Sequence, residues 1–429
     1  MSGLITPSLD EMTHVAREME RTGMKLPLLI GGATTSAAHT AVKISPHYSG
    51  PVVHVLDASR SVPVTTALLS AERRDAFIAD NRAKQQALRE QFAGGSNKET
   101  VTLDAARAAA PRIDWESYQP PVPDLARLAD GWVVEHGNAR REIPIPTLVP
   151  YIDWTPFFHA WELRGVWDRA TGQLKSRNAE AVAEAAKLHR DALTRLEQII
   201  GDGRFTARAV LGLHPAHADG DDIMVHPPGG APVRFHSLRQ QTKKDGGKPN
   251  TALADWVKPS NDHLGAFVVG IHGADALAAE LDAAHDPYGS IMVKALADRL
   301  AEAAAEWVHQ QARIAWGIEP AGLTPEQLIA EDYQGIRPAP GYPAQPDHTE
   351  KRTLFALLDA PAATGVELTE SCAMHPAAAV SGLIFSHPDS HYFAISALQK
   401  DQITDYARRK GMSVEEVEKW LAPWLGYNP

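Results

Sequence analysis

A single cysteine, Cys372, stands in a chain of 429 residues. One thiol cannot close an internal disulfide, and such sparse use of cysteine fits a reducing, cytoplasmic setting. No apolar run approaches the roughly eighteen residues a membrane helix needs, and the opening MSGLITPSLDEM lacks the basic segment and apolar core of a secretory signal. Basic charge is also short. The 42 Lys and Arg face 53 Asp and Glu, a net charge of −11, which argues against an electrostatic nucleic-acid binder or a polybasic membrane surface. Neither G-x-G-x-x-G nor G-x-x-x-x-G-K-[ST] occurs, so a nucleotide reading loses ground, and no nucleophile elbow is present. Internal repeats and low-complexity tracts are missing as well.

What is there begins with PSLDEMTHVAREMERTG, an amphipathic helix with Leu9, Met12, Val15, Ala16 and Met19 on one stripe, Ser8 and Glu11 as a capping box and Gly23 as the stop. LPLLIGG and PVVHVLDASR each read as a short, wholly apolar strand leading through a loop into a helix. Alternation of that kind marks a parallel sheet with helices on its faces. Ligands of such sheets sit beyond the carboxyl ends of the strands, which makes Gly31, Gly32, Thr34, Thr35 and DASR site candidates; a tight strand-to-helix turn explains the glycine pair equally simply. SGLIT reads as a strand end with nothing ahead of it, so a truncated unit is expected. A charged helix from Ser70 to about Phe92 leads away, and AGGSNKET breaks it.

Proline-rich APRIDWESYQPPVPD, with two aromatic anchors, reads as an ordered strap rather than a free linker. Beyond it, long alanine-rich helices over 176–200 and 290–316 mix with β-like runs GAFVVGIH, VSGLIF and YFAISAL, the pattern of an α+β domain. Met292, Leu296, Leu300, Ala303 and Trp307 make the buried stripe of the second helix and leave Glu302 off it. A last helix is capped by Ser413 with Glu416.

Few residues advertise chemistry. His214, His217, Asp219, Asp221 and Asp222 could ligate a metal, but Gly-Asp before an alternating run is better read as a hairpin turn. Cys372 near His375 reads as a buried structural thiol. In YIDWTPFFHAW, one acid lies among aromatic rings; Asp153 either caps a helix or meets a ligand. GIRPAPGYP is a stiff loop around Arg337, since each proline fixes φ and removes an N–H, while Gly341 allows a turn or a close approach. On its own it reads more simply as a surface turn with a solvated arginine. Taken together, Asp153 for an ammonium, Arg337 for a carboxylate and aromatic faces for a heterocycle or sulfonium could hold an amino-acid-like ligand.

SGLITPSLDEM, PLLIGGATTS, AHTAVKI, YIDWTPFF, IMVKALADRLAE, YQGIRPAPGYP, FSHPDS and DYARRKGMSVEEVEKWLAP together resemble the C-terminal part of cobalamin-dependent methionine synthase, over essentially the whole chain. That resemblance implies a truncated α/β Rossmann-like half of a cobalamin domain over 1–92, a linker or strap over 93–125, and a larger α+β activation domain binding S-adenosylmethionine over 126–429. It places cobalamin contacts at Ser2, Thr6, Gly31, Gly32 and Ala58. It places S-adenosylmethionine contacts at Asp153, Arg337, Gly341, Tyr342, Tyr392 and Phe393, with Glu302 and Glu331 as further candidates; at 393 a tyrosine would be expected. The family's D-x-H-x-x-G element, which carries the lower cobalt ligand, does not occur, nor do its zinc-binding cysteines. The implied role is remethylation of oxidised cobalamin, using an electron from reduced flavodoxin or a similar donor and the methyl of S-adenosylmethionine. Homocysteine and methyltetrahydrofolate turnover would need the remaining domains in cis or trans. A separate reactivation subunit of a split enzyme, or a non-catalytic corrinoid or S-adenosylmethionine sensor, are the alternatives; no catalytic or metal residue, nucleic acid or membrane is expected.

Overall fold

The computed structural model describes residues 1, 7–31, 35–55, 58–93, 99–320 and 322–427. Helix α1 (Pro7–Arg21) buries Met12 and Ala16 and half-buries Met19. It starts at Pro7, one residue ahead of the expected Ser8 cap, because proline at a first helical position gives up no hydrogen bond. Gly23, at a φ of 68°, follows its last turn. Strands β1 (Leu28–Ile30) and β2 (Val52–His54) pair in parallel, Leu28 opposite Val52. The connection carries α2 (Ala37–His39), continued by a wide turn to Ile44, and β2 is followed by α3 (Ala58–Leu69) and α4 (Arg74–Ala93). Side-chain amides of Asn81 and Gln85 both donate to the Val52 carbonyl, so α4 covers that end of β2. The expected parallel unit is thus present as two strands among the described residues.

From Glu99 the chain is bonded into a larger body. Val101 N–H donates to the Gln241 carbonyl and Leu103 N–H to the Asp401 carboxylate, and α5 (Leu103–Ala108) carries Arg107 to Asp221 and Asp405 at 2.8 and 2.7 Å. The strap that follows has little regular structure yet is anchored: Trp115 and Tyr118 meet the His387 ring edge-on, and Asp124 N–H donates to Ala315. Then come β3 (Val133–Glu135), β4 (Asn138–Ile143), α6 (Ile145–Leu148), α7 (Trp154–Ala160), the small hairpin β5 (Val166–Asp168) and β6 (Gln173–Lys175), and α8 (Ala179–Gly201).

The sheet is completed by β7 (Thr206–Asp219), β8 (Asp222–Val225), β9 (Val233–His236), β10 (Asp262–His272) and, later, β13, reached through α9 (Ala274–Ala283), α10 (Pro287–Trp316), α11 (Pro325–Ile329), α12 (Glu350–Leu358), α13 (Ala360–Thr364) and the ribbon β11 (Glu367–Leu368) with β12 (Met374–His375). Strand β13 (Ala379–Ile384) begins an antiparallel order β13-β10-β7-β4-β3, with β8 and β9 extending from β7. Both faces of its centre are apolar. Phe267, Val269 and Ile271 of β10 point to α8 and α10, whereas Leu264, Ala266 and Val268 meet Leu354, Phe355 and Leu358 of α12, so β10 reads as a continuous apolar run. The hairpin reading of the His/Asp segment holds: Gly220 and Asp221 form a two-residue turn between β7 and β8, with Gly220 at a φ of 65°. Its acids face arginines, Asp221 meeting Arg107 and Arg239 and Asp222 meeting Arg234 and Arg409.

YFAISAL departs from expectation: it forms no strand. Its backbone bonds to other loops, Ile395 N–H to Pro343 and Leu398 N–H to Trp424, while Ile395 and Leu398 enter a separate core with α14 (Lys400–Lys410) and α15 (Val414–Leu421). Helix α14 is pinned by charge, Lys410 to Asp347 and Glu350, and Asp405 to Arg107, Arg408 and Arg409. Burial pushes the Asp405 carboxyl up, but hydrogen bonds from the three arginines outweigh it and bring it down to about 2. A carboxyl depressed on folding stabilises the fold above its unfolded value and loses that contribution as pH falls through the folded one. Melting temperatures read from about pH 5 to about pH 2 should therefore fall more steeply for the native chain than for Asp405→Asn; parallel slopes would refute the assignment.

Candidate functional site

The stiff loop of the sequence runs as an extra edge along β13. Ile336 N–H donates to Phe385 O at 3.1 Å, Phe385 N–H returns to Ile336 O at 2.9 Å, and Leu383 N–H donates to Pro338 O at 2.9 Å. Pro338 only has to accept, so a proline is compatible with this edge. Gly335 precedes it at a φ of 97°, and a Cβ there would lie 2.5 Å from the Phe385 carbonyl oxygen. Beyond the edge the chain turns through Gly341, at a φ of 96°, whose N–H donates to Gln345 O; a Cβ at 341 would lie 2.3 Å from the His348 ring.

This geometry aims Arg337 at α10. The guanidinium is not the solvated surface group that the loop alone suggests, because its side chain is only 18% exposed. Nη1 lies 2.7 Å from Glu306 Oε2, donates to the Tyr333 hydroxyl and lies 3.2 Å from His309 Nδ1. Nη2 stands 4.0 Å from Glu331, which is half-exposed. The backbone N–H of Arg337 donates to the Tyr392 hydroxyl at 3.1 Å. Tyr333 is fixed in turn, its hydroxyl 3.1 Å from Glu306 Oε2, its ring stacked 3.6 Å under the Arg313 guanidinium and met edge-on by His309. Arg313 pairs with Glu319, which takes a hydrogen bond from Gln310, and Gln310 accepts from the Tyr151 hydroxyl at 2.6 Å.

Burial resists the charge on Arg337, but Glu306, Tyr333, Tyr392 and Glu331 overcome it and hold the guanidinium still more firmly protonated than usual. Burial drives the Glu306 carboxyl up although Arg337 and Arg313 pull it down, and it drives His309 well below the ordinary histidine range. A neutral His309 facing an arginine donor must accept at Nδ1 and carry its proton on Nε2.

Of the residues named from sequence, Arg337, Tyr392 and Glu331 meet here. Glu302 lies exposed one turn before Glu306 and acts electrostatically on Tyr342, whose ring is 61% exposed on the loop. Phe393, next to exposed Tyr392, packs against the sheet core and the C-terminal core. Asp153 caps α7, accepting from Thr155 N–H at 2.9 Å, and among the described residues it makes no hydrogen bond or ion pair to Arg337. Glu306, His309, Arg313 and Tyr333 were not singled out from sequence. Their signal was present as ionisable residues at 306, 309 and 313, spaced to share a face of an otherwise alanine-rich helix. Of the candidate cobalamin residues, Ser2, Thr6 and Gly32 lie outside the described residues, Ala58 opens α3, and Gly31 follows β1 with its N–H on the Met1 carbonyl. No group of three or more His, Cys, Asp or Glu able to hold a metal occurs among the described residues.

Residues 144–411 match the family model described as vitamin B12 dependent methionine synthase, activation domain. The chain belongs to this family. A solved structure titled as the MetH reactivation domain bound to AdoHcy is 47% identical, covers 77% of this chain and 100% of that one, and superposes with a TM-score of 0.68. The antiparallel sheet with its many helices is the fold of this activation domain, and no helix among the described residues is long and apolar enough to cross a membrane. Within the domain, Gly341→Ala should cost about 1–3 kcal/mol in a urea melt, because the left-handed backbone and the His348 ring both oppose a Cβ. An unchanged midpoint would show that the turn relaxes freely.

Proposed function

We propose that residues 99–427 bind S-adenosylmethionine for the reductive methylation of cobalamin, with the Arg337 loop as the wall that holds the amino-acid end. The carrying observation is the arginine itself: a guanidinium held by Glu306, Tyr333 and His309 through Nη1, with its remaining edge free of any carboxylate at hydrogen-bond distance among the described residues. That edge suits a ligand carboxylate. Tyr342 and Tyr392 offer exposed aromatic faces for adenine or the sulfonium, and Gly341 lets the backbone turn beside them. Glu302 and Glu331 offer acidic groups to the ammonium or sulfonium, Asp153 a further one, and Phe393 a ring surface at the base of Tyr392.

Residues 1–92 are proposed to belong to a cobalamin domain, with a boundary before Glu99 favoured by the bonds from Val101 and Leu103 into the larger body. Gly31 lies where ligands of parallel sheets bind, and its missing Cβ is already accounted for by the Val55 carbonyl 3.1 Å away. When bound, the corrin supplies the centre that accepts the methyl group. Reduced flavodoxin or a similar donor would supply the electron that returns oxidised cobalamin to its methyl-accepting state, and this chain's own part would be to bind and orient S-adenosylmethionine as the methyl donor. Alone, the chain is proposed not to turn over homocysteine, and the other synthase domains act in cis or trans. The single buried, unpaired cysteine accords with a cytoplasmic setting.

Calorimetry on the purified chain should show S-adenosylmethionine binding, and Arg337→Ala should weaken it by about 1.5–3 kcal/mol, the loss of a charged hydrogen bond. A folded native chain giving no binding signal would overturn this reading.

A further inference from the structure

Arg337 has five N–H groups, and how they are divided decides what a ligand can meet. Nη1 carries two of them and faces three acceptors: Glu306 Oε2 at 2.7 Å, the Tyr333 hydroxyl, and His309 Nδ1 at 3.2 Å. Nη1 is therefore saturated. Three remain: the Nε N–H and one Nη2 N–H lie parallel on the side-on edge, the geometry that takes a carboxylate with two bonds, and the second Nη2 N–H points along the end of the guanidinium. Among the described residues, the carboxylate near that edge is Glu331, and at 4.0 Å and 43% exposure it is a neighbour rather than a bonded partner.

We infer that Glu306 is a positioning residue for ligand recognition: by holding Nη1 together with the Tyr333 hydroxyl, it turns the Nε/Nη2 edge of Arg337 toward the cleft and keeps that edge from closing on Glu331. The inference rests on the proposed S-adenosylmethionine reading and adds to it the residue that makes the arginine a carboxylate fork. Glu306 is well placed for this. It lies inside α10, with its side chain 6% exposed, and its backbone position is set by Trp307 on one side and Ala305 on the other, both buried in the main core. Its other oxygen, Oε1, faces Arg313 at 3.9 Å without a hydrogen bond, so a second cation keeps the carboxylate from swinging outward. Arg313 is itself held by Glu319 and by the Tyr333 ring. With Glu306 neutralised, Glu331 becomes the nearest carboxylate to Arg337, and the edge meant for the ligand turns to it.

Two ligands separate this role from a general structural one: S-adenosylmethionine and its decarboxylated analogue, which lacks only the carboxylate. Binding of each is measured by calorimetry to the native chain, to Glu306→Gln and to Tyr333→Phe, with melting curves for all three. The native chain is expected to prefer S-adenosylmethionine by roughly tenfold or more. Glu306→Gln should lose most of that preference while binding the analogue within about twofold of native, and Tyr333→Phe should shift in the same direction by less. A native chain with no preference for the carboxylate overturns the role of Arg337 and the inference with it. A native preference retained in Glu306→Gln, or both ligands weakened alike, overturns the inference alone. Should Glu306→Gln fail to fold, Tyr333→Phe decides by the same comparison, since it keeps the carboxylate and removes one shared hydroxyl.

Discussion

Arg337 is stable in its largely enclosed position only because Glu306 faces it from α10. An unpaired charge there would carry a desolvation cost of several kcal/mol, and removing one partner of such a pair typically costs about 3–5 kcal/mol. The dependence runs both ways. The carboxyl of Glu306 is driven up by burial and would leave its charged form without the guanidinium beside it. The Arg337 loop and the longest helix are thus joined through charge, and the fold around them is arranged to keep the two in register.

Register is kept by backbone as much as by side chains. The loop from Gly335 to Pro343 adds itself to β13 with bonds at Ile336, Pro338 and Phe385, and β13 is locked to β10, whose alternate residues are buried on both faces of the sheet. Helix α10 packs on the same sheet. Arg337 and Glu306 therefore approach from two elements referred to one rigid layer, which is how a 2.7 Å contact can be held across 31 positions of chain. The prolines lower the freedom of the loop before any ligand arrives, and the glycines at 335 and 341 occur where a side chain would strike Phe385 or His348.

Much of this was legible in sequence where the signal is local. The His/Asp hairpin followed from Gly-Asp before an alternating run, the Ser413 cap from its spacing to Glu416, and the stripe on α10 from its period. The stiff loop around Arg337 was legible as a loop. Its surroundings were not, because burial of an arginine is decided by what a distant helix places opposite it. YFAISAL failed as a strand for a related reason. Its apolar residues answer to the core of α14 and α15, and its backbone groups find partners in Pro343 and Trp424 rather than a ladder. Alternation reports which side chains are buried, and a loop crossing two cores alternates as a strand does.

Asp153 shows where the residue types alone leave the matter open. A carboxylate among aromatics had two readings, cap or ligand, and the structure supports the first directly through Thr155 N–H. The cap bond uses one carboxylate oxygen of two. The capped helix α7 follows Tyr151, whose hydroxyl begins the chain of bonds through Gln310 and Glu319 to Arg313 and so to the Tyr333 ring. Capping and ligand contact are then compatible uses of one side chain, since the cap fixes where the carboxylate sits. Arg337, by contrast, needs no flexible closure to meet its acid, because Glu306 already stands 2.7 Å from it on α10.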